Sequence, residues 1–151
     1  GDPETQVVLP LYDGDLLELL AAAATGTLRE MQTGDVPRPP AGAAVCVVLA
    51  SEGYPDAYPT GRVITGLADA AALSGVLVFH AGTMVREGGC VTSGGRVLGV
   101  TAVAADGDLA RAAGDAYAAV GKIAFAGMHF RSDIAGRALH APHRGPEAGQ
   151  E

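Results

Sequence analysis

Two carboxylates and a proline lie within the first four residues of the chain. Asp2 and Glu4 flank Pro3, and the apolar run 7–11 follows. An ionised carboxylate accepts hydrogen bonds from paired hydroxyls or from an amine, and proline restrains the backbone between the two side chains. Asp2 and Glu4 are therefore candidate anchors for ribose hydroxyls or an amine, at the end of a predicted strand. The alternative is that both are solvated side chains of an exposed N-terminal segment.

The tetrapeptide Ser93-Gly94-Gly95-Arg96 is a second candidate site. Paired glycines allow backbone N–H groups to approach an anion closely, and an arginine can donate two parallel hydrogen bonds to a phosphate or carboxylate. Gly94, Gly95 and Arg96 are therefore candidate anion-binding residues. The alternative is a tight turn between two strands, with Arg96 exposed to solvent.

His80 is a third candidate, at the start of the sequence His80-Ala81-Gly82-Thr83. A histidine can orient or polarise a bound group near neutral pH, and the alternative is a side chain hydrogen-bonded at a turn. The two cysteines, Cys46 and Cys90, have neither a close partner cysteine nor a histidine at zinc-ligand spacing. The sequence predicts two reduced thiols and no metal site, because the same ligand spacing is missing among His129, His140 and His143.

Four segments follow one another along the chain: Gly1–Gln6, Ala50–Pro55, Phe79–Thr83 and Val91–Ala102. In order and spacing they resemble the last part of the phosphoribosylamine–glycine ligase family, which belongs to the ATP-grasp enzymes. The resemblance covers about residues 1–140. It implies an enzyme of purine synthesis that uses ATP to join glycine to 5-phosphoribosylamine, giving glycinamide ribonucleotide, ADP and phosphate.

The resemblance also assigns roles to particular residues. It places Asp2 and Glu4 beside the ribose-phosphate substrate, and it adds Gly94, Gly95 and Arg96 to the substrate-binding set. The family's metal-binding Glu and Asn would precede Gly1, so ATP and Mg²⁺ are expected on the part of the enzyme before this chain. The expected partners are the N-terminal and ATP-grasp domains of the same enzyme, and the chain alone is expected to be inactive.

A function of a different class stays open, namely a non-catalytic binding or assembly module that docks on another chain. The start of the chain within a strand-like motif favours a part of a longer ligase over this alternative.

Composition excludes several classes of partner. The net charge is −7, and the sequence has no cluster of Lys or Arg that could neutralise a nucleic-acid backbone or an anionic membrane. Apolar runs such as 43–50 are far shorter than the roughly 20 residues that span a bilayer. The first residues do not read as a signal peptide, so we expect the cytoplasm. The hydrophobic content of 48% suggests some apolar surface that another domain covers.

Hydrophobic periodicity and turn residues predict an α+β fold with a mainly antiparallel sheet flanked by helices. Helices are expected over 13–26, capped by Asp13 and closed by Gly26, from Asp106 or Asp108 to about Lys122, and over 133–139. Strands are expected over 43–51, 62–67, 75–80, 84–92 (a hairpin turning at Glu87-Gly88-Gly89), 95–104 and 123–125. We divide the chain into 1–30 (the end of the ATP-grasp domain, a strand and a helix), 31–42 (a linker), 43–140 (a C-terminal domain) and 141–151 (a disordered tail).

Overall fold

The computed structural model describes residues 1–31 and 42–140. Within these residues the helices are α1 (Glu4–Val8), α2 (Leu16–Thr25), α3 (Leu67–Ala71), α4 (Leu109–Val120) and α5 (Gly136–His140). The strands are β1 (Ala43–Ala50), β2 (Val76–His80), β3 (Thr83–Arg86), β4 (Gly89–Thr92) and β5 (Arg96–Ala104). Short 3-10 turns cover Leu9–Leu11 and Leu28–Glu30. The predicted tail, 141–151, lies outside the described residues, as does the predicted linker apart from its two end residues.

The main sheet has three strands in the order β1-β5-β2, and both pairings are antiparallel. The central strand β5 places Val100 opposite Val47 of β1 and Val78 of β2. Strands β3 and β4 form a separate two-stranded hairpin. The predicted α+β class with a mainly antiparallel sheet is confirmed.

One face of the main sheet carries the core and packs against α4. Side chains alternate between the two faces of a strand, so the register pairs Val47 with Val100 and Leu49 with Leu98 on this face. On α4, Ala112, Ala116 and Ala119 have no exposed surface. Because alanine has a small side chain, the helix axis can approach the sheet closely and the valines and leucines fill the space between them.

The other face of the sheet receives α1. Thr101 of β5 is fully buried on this face, and its hydroxyl donates a hydrogen bond of 3.0 Å to the carbonyl oxygen of Gln6. A Cβ added to Gly99 would lie 3.2 Å from the Cys46 sulfur and 3.9 Å from Gln6 Cγ. The glycine therefore leaves room for α1 to lie across β1 and β5.

The predicted strand at the start of the chain is wrong, because residues 4–8 form helix α1. Pro3 precedes the first turn, where its missing N–H costs no hydrogen bond, and the Glu4 carboxylate is favourable at a helix N-terminus. The Thr5 hydroxyl donates 3.0 Å to the carbonyl of Gly1, which closes the turn. No described strand pairs with this segment, so an extended conformation would leave its backbone groups without partners.

The predicted helix over 13–26 is confirmed, but it begins later, at Leu16. Asp15, not Asp13, caps α2, and its Oδ1 accepts hydrogen bonds of 2.9 and 3.0 Å from the N–H groups of Leu17 and Glu18. Gly26 ends the helix with a positive φ of 77°, as expected. The helix predicted from Asp106 or Asp108 to about Lys122 is α4, and of its two candidate caps Asp108 accepts the N–H of Arg111 at 2.9 Å.

Two of the predicted strands form only isolated β-bridges. Segment 62–67 pairs only at Val63 with Val91 and at Thr65 with Ala124, which also accounts for segment 123–125. The predicted hairpin is confirmed, since Arg86 pairs with Gly89 across the loop and Gly88 has a φ of 98°. The predicted helix 133–139 is observed as the shorter α5.

Candidate functional site

The structure brings the start of the chain onto the Gly-Gly-Arg segment. Arg96 Nε lies 3.2 Å from Asp2 Oδ2, and Arg96 Nη1 donates to the carbonyl oxygen of Asp2 at 3.4 Å. The two side chains are 43% and 41% exposed, so a ligand in solvent can reach both. Asp2 and Arg96, which the sequence predicts as members of two separate candidate sites 94 positions apart, therefore form one ion pair.

Secondary structure holds each member of this pair in place. Arg96 is the first residue of the central strand β5, and Asp2 stands just before α1. Gln6 Nε2 donates 3.1 Å to Asp2 Oδ1, so the carboxylate is shared between the amide and Arg96. Gln6 Oε1 is buried and has no hydrogen-bond partner among the described residues, an unusual state for a buried acceptor.

Glu4 is exposed and separated from this pair. It lines a groove of about 310 Å³ beside β1, together with Pro3, Val7, Cys46 and Ile134 among others. Arg96 does not line this groove. The structure thus places Asp2 and Glu4, adjacent in the sequence motif, in different surroundings.

The two glycines allow close packing at the turn before β5. A Cβ on Gly95 would overlap the ring of Tyr54 and lie 2.9 Å from Tyr58 Cε1. A Cβ on Gly94 would lie 3.0 Å from Gly82 Cα. Their carbonyl oxygens accept hydrogen bonds from Ser51, Oγ to Gly94 at 2.9 Å and N–H to Gly95 at 2.8 Å.

The N–H groups of Gly94 and Gly95 donate to no described residue. The turn therefore combines a fixed backbone with an N–H donor at half-buried Gly94, whereas Gly95 is buried. Such donors are the groups that an anion-binding turn requires.

A pocket of about 280 Å³ adjoins Arg96 at the end of β1. We call it the β1-end pocket, and its lining residues are Val48, Ala50, Tyr54, Arg96, His129, Phe130 and Arg131. His129 forms its wall through a β-bridge, since its N–H and carbonyl exchange hydrogen bonds of 3.0 and 2.9 Å with Ala50. The pocket joins segments far apart in sequence, which explains why motif spacing did not single out residues 129–131.

Arg131 is held in a fixed orientation at the rim of this pocket. Its Nε and Nη2 donate 2.8 and 2.6 Å to the two carboxylate oxygens of Asp133, and this hydrogen bonding lowers the pKa of Asp133 below its ordinary value. The Tyr117 hydroxyl on α4 donates 2.8 Å to the Arg131 carbonyl and accepts the N–H of Ile134 at 3.0 Å. The loop is therefore tied to the core helix.

The structure favours the alternative proposed for His80, a side chain hydrogen-bonded at a turn. Its Nδ1 lies 2.9 Å from Thr83 Oγ1 and 4.0 Å from Cys90 Sγ. Both cysteines are free, and burial raises the pKa of the Cys46 thiol above its ordinary value.

Two negative findings concern residues 1–31 and 42–140. They contain no group of three or more His, Cys, Asp or Glu side chains placed to hold a metal ion. No helix in this part of the chain combines the length and the apolar character needed to cross a bilayer.

Residues 44–137 match the sequence profile of a family described as phosphoribosylglycinamide synthetase, C domain. A phosphoribosylamine–glycine ligase from Chlorobaculum tepidum is 50% identical over 143 residues, covering 92% of this chain and 31% of that protein. The trifunctional purine biosynthetic protein adenosine-3 of Gallus gallus is 47% identical over 139 residues, covering 92% of this chain and 13% of that protein. These matches confirm the resemblance predicted from four sequence segments.

A solved structure supports the same relationship. The crystal structure of phosphoribosylamine–glycine ligase from Thermotoga maritima is similar with a TM-score of 0.66 and 35% sequence identity, covering 88% of this chain and 30% of that chain. The chain thus spans less than a third of the length of these relatives.

Proposed function

Because the chain belongs to the family described as phosphoribosylglycinamide synthetase, C domain, we propose that it is the C-terminal part of a phosphoribosylamine–glycine ligase. The whole enzyme joins glycine to 5-phosphoribosylamine with ATP, giving glycinamide ribonucleotide, ADP and phosphate. The observation that carries the proposal is the 50% identity to a ligase over 92% of the chain. Residues 1–30 would then end the ATP-grasp domain, and 43–140 would form the C-terminal domain.

In this function the chain binds and orients the ribose-phosphate substrate. A sugar phosphate with an amine offers hydrogen-bond donors at one end and charged acceptors at the other. Asp2 supplies the acceptor for hydroxyls or the amine, and Arg96 supplies the donors for the phosphate. The N–H groups of Gly94 and Gly95 add backbone donors, and Glu4 extends the acidic side toward the neighbouring groove. Held in this way, the amine is positioned for reaction instead of diffusing.

ATP and Mg²⁺ belong on another part of the enzyme. Mg²⁺ in a complex with ATP takes one or two carboxylate ligands together with phosphate oxygens, and the family's metal-binding Glu and Asn would lie in that part. When bound, MgATP supplies the phosphoryl group that activates glycine. We place both on the N-terminal and ATP-grasp domains, with the reaction in the cytoplasm.

Exposed apolar side chains support a docking role for the remaining surface. Leu17 and Leu20 of α2 are 77% and 58% exposed, and Leu77 of β2 is 42% exposed on the sheet face that receives α1. Burying such side chains stabilises an interface between domains. The strand surface leading into Arg96 would therefore face the ATP-grasp domain.

A chimeric enzyme tests the proposal. Our chain would replace the matching C-terminal region of the Chlorobaculum tepidum ligase, and glycine-dependent formation of glycinamide ribonucleotide would be measured. We expect an active chimera, whereas the chain alone neither forms product nor hydrolyses ATP. An inactive chimera that folds and still binds ATP would contradict the proposal and favour a non-catalytic assembly module.

A further inference from the structure

We propose that the β1-end pocket binds a phosphate monoester, with Arg131 and His129 facing the same space as Arg96. The identification of this phosphate monoester as the 5-phosphate of phosphoribosylamine rests on the proposed function. The residues of the pocket do not depend on that assignment. Of them, only Arg96 belongs to the sites predicted from sequence.

The donors of the pocket favour an anion. Arg96, His129 and Arg131 line it, and none of its lining residues is acidic. The whole chain has a net charge of −7 and only ten Lys and Arg residues. Two of these ten line this one small pocket. Each is paired with a carboxylate that is not part of the lining, and the guanidinium groups offer N–H donors that suit phosphate.

The ion pairs of the two arginines orient them without using all their donors. Arg96 contacts Asp2 through Nε and Nη1, and Arg131 contacts Asp133 through Nε and Nη2. Arg96 Nη2 and Arg131 Nη1 have no hydrogen-bond partner among the described residues. A guanidinium has five N–H donors, so each arginine keeps donors for a ligand. Exposed ion pairs contribute little net stability, which makes orientation the main effect of Asp2 and Asp133.

The size and the remaining lining suit a sugar phosphate. At about 280 Å³ the pocket is close to the lower end of the range of roughly 300–1,000 Å³ that is typical of small-molecule sites. The apolar side chains of Val48 and Phe130 and the ring of half-buried Tyr54 offer contact surface for the sugar carbons.

Calorimetric titration of the 151-residue chain gives the first test. Ribose 5-phosphate, inorganic phosphate, ribose and ATP are the four probes. We expect ribose 5-phosphate to bind, ribose not to bind, and Arg131→Gln to weaken ribose 5-phosphate binding about tenfold, the effect of losing one charged hydrogen bond. Arg111→Gln is the matched control, because Arg111 also forms an exposed ion pair, with Asp106, outside the pocket. The proposal would be overturned if ATP binds more tightly than ribose 5-phosphate and if Arg131→Gln abolishes this ATP binding.

Kinetics of the chimeric ligase separate this inference from the proposed function. Arg131→Gln should raise the KM for phosphoribosylamine about tenfold and leave the KM for ATP and for glycine unchanged. If the unsubstituted chimera folds but is inactive, the proposed function is wrong. The titration still shows whether the β1-end pocket binds a phosphate monoester. If the chimera is active and Arg131→Gln behaves like Arg111→Gln, the pocket assignment is overturned. Thermal unfolding of each variant checks that the fold is retained.

Discussion

The N-terminal segment (residues 1–31) and the sheet region (residues 42–140) contain similar apolar side chains but bury them to different extents. Leu49 and Val100 of the sheet region have no exposed surface. In α2, by contrast, Leu17 and Leu20 are largely exposed and Ala22 is buried. The sheet region therefore carries its own core, whereas the N-terminal segment presents apolar side chains that another domain covers in our proposal.

The two regions meet where the candidate site lies. Thr101 donates a hydrogen bond to the backbone of Gln6, and Arg96 pairs with Asp2, so α1 is held by a few polar contacts along β5. Such contacts orient side chains but add little stability compared with an apolar core. In this molecule the stability and the proposed chemistry therefore belong to different groups of residues.

A leucine-to-alanine substitution in each region would test this difference most directly. Leu49→Ala removes a fully buried side chain and should lower the free energy of unfolding by about 2–5 kcal/mol. Leu17→Ala makes the same chemical change at an exposed position and should change that free energy by no more than about 0.5 kcal/mol. Urea unfolding of the isolated chain measures both. Equal losses would show that α2 packs as firmly as the sheet.

Asp2→Ala should leave the fold intact but impair substrate use in the chimeric ligase. Losing a charged hydrogen bond costs about 1.5–3 kcal/mol, so the KM for phosphoribosylamine should rise roughly tenfold to a hundredfold. Asp13→Ala, an exposed acidic residue of the same segment, is the control. Steady-state kinetics, with each substrate varied in turn, measure the KM for phosphoribosylamine, ATP and glycine. An unchanged KM for phosphoribosylamine with a raised KM for ATP would place Asp2 in a different subsite.

Arg96→Ala tests whether a candidate site residue of the sheet region also contributes little to stability. Because the side chain is 43% exposed, its removal should hardly alter the urea midpoint. It should lower kcat/KM for phosphoribosylamine in the chimera about tenfold, through the lost phosphate contact. Arg86→Ala, on the exposed hairpin, provides the matched control. Full activity in Arg96→Ala would reduce the Gly-Gly-Arg segment to an ordinary tight turn.

Asp15→Ala should produce the smallest and most local effect. Losing a helix N-cap costs about 0.5–2 kcal/mol, and α2 depends on this cap because it buries so little surface. We expect faster amide hydrogen exchange within α2 and no change in the exchange of β5. If Asp15→Ala slows the folding of the chain or speeds amide hydrogen exchange throughout the sheet, α2 and the core unfold as one unit.

Local sequence was sufficient for the elements whose determinants lie within a few residues. The turn at Gly88, the end of α2 at Gly26 and a cap at Asp106 or Asp108 are predicted from sequence, because capping and positive φ depend on the residue itself. The predicted cap of α2, Asp13, is wrong by two residues, because Asp15 caps the helix. Both are acidic and precede the same apolar run, so composition alone does not distinguish them.

The sequence by itself determined the antiparallel sheet, the core helix and, through four motifs, the family. Only the tertiary structure decided that Glu4–Val8 is a helix, that 62–67 and 123–125 meet in a single bridge, and that Arg96 pairs with Asp2. It also formed the β1-end pocket by joining His129 to Ala50. The physical reason is that helix caps and turns use neighbouring residues. Bridges, ion pairs and pockets depend instead on packing between segments far apart in the chain, which no local pattern encodes.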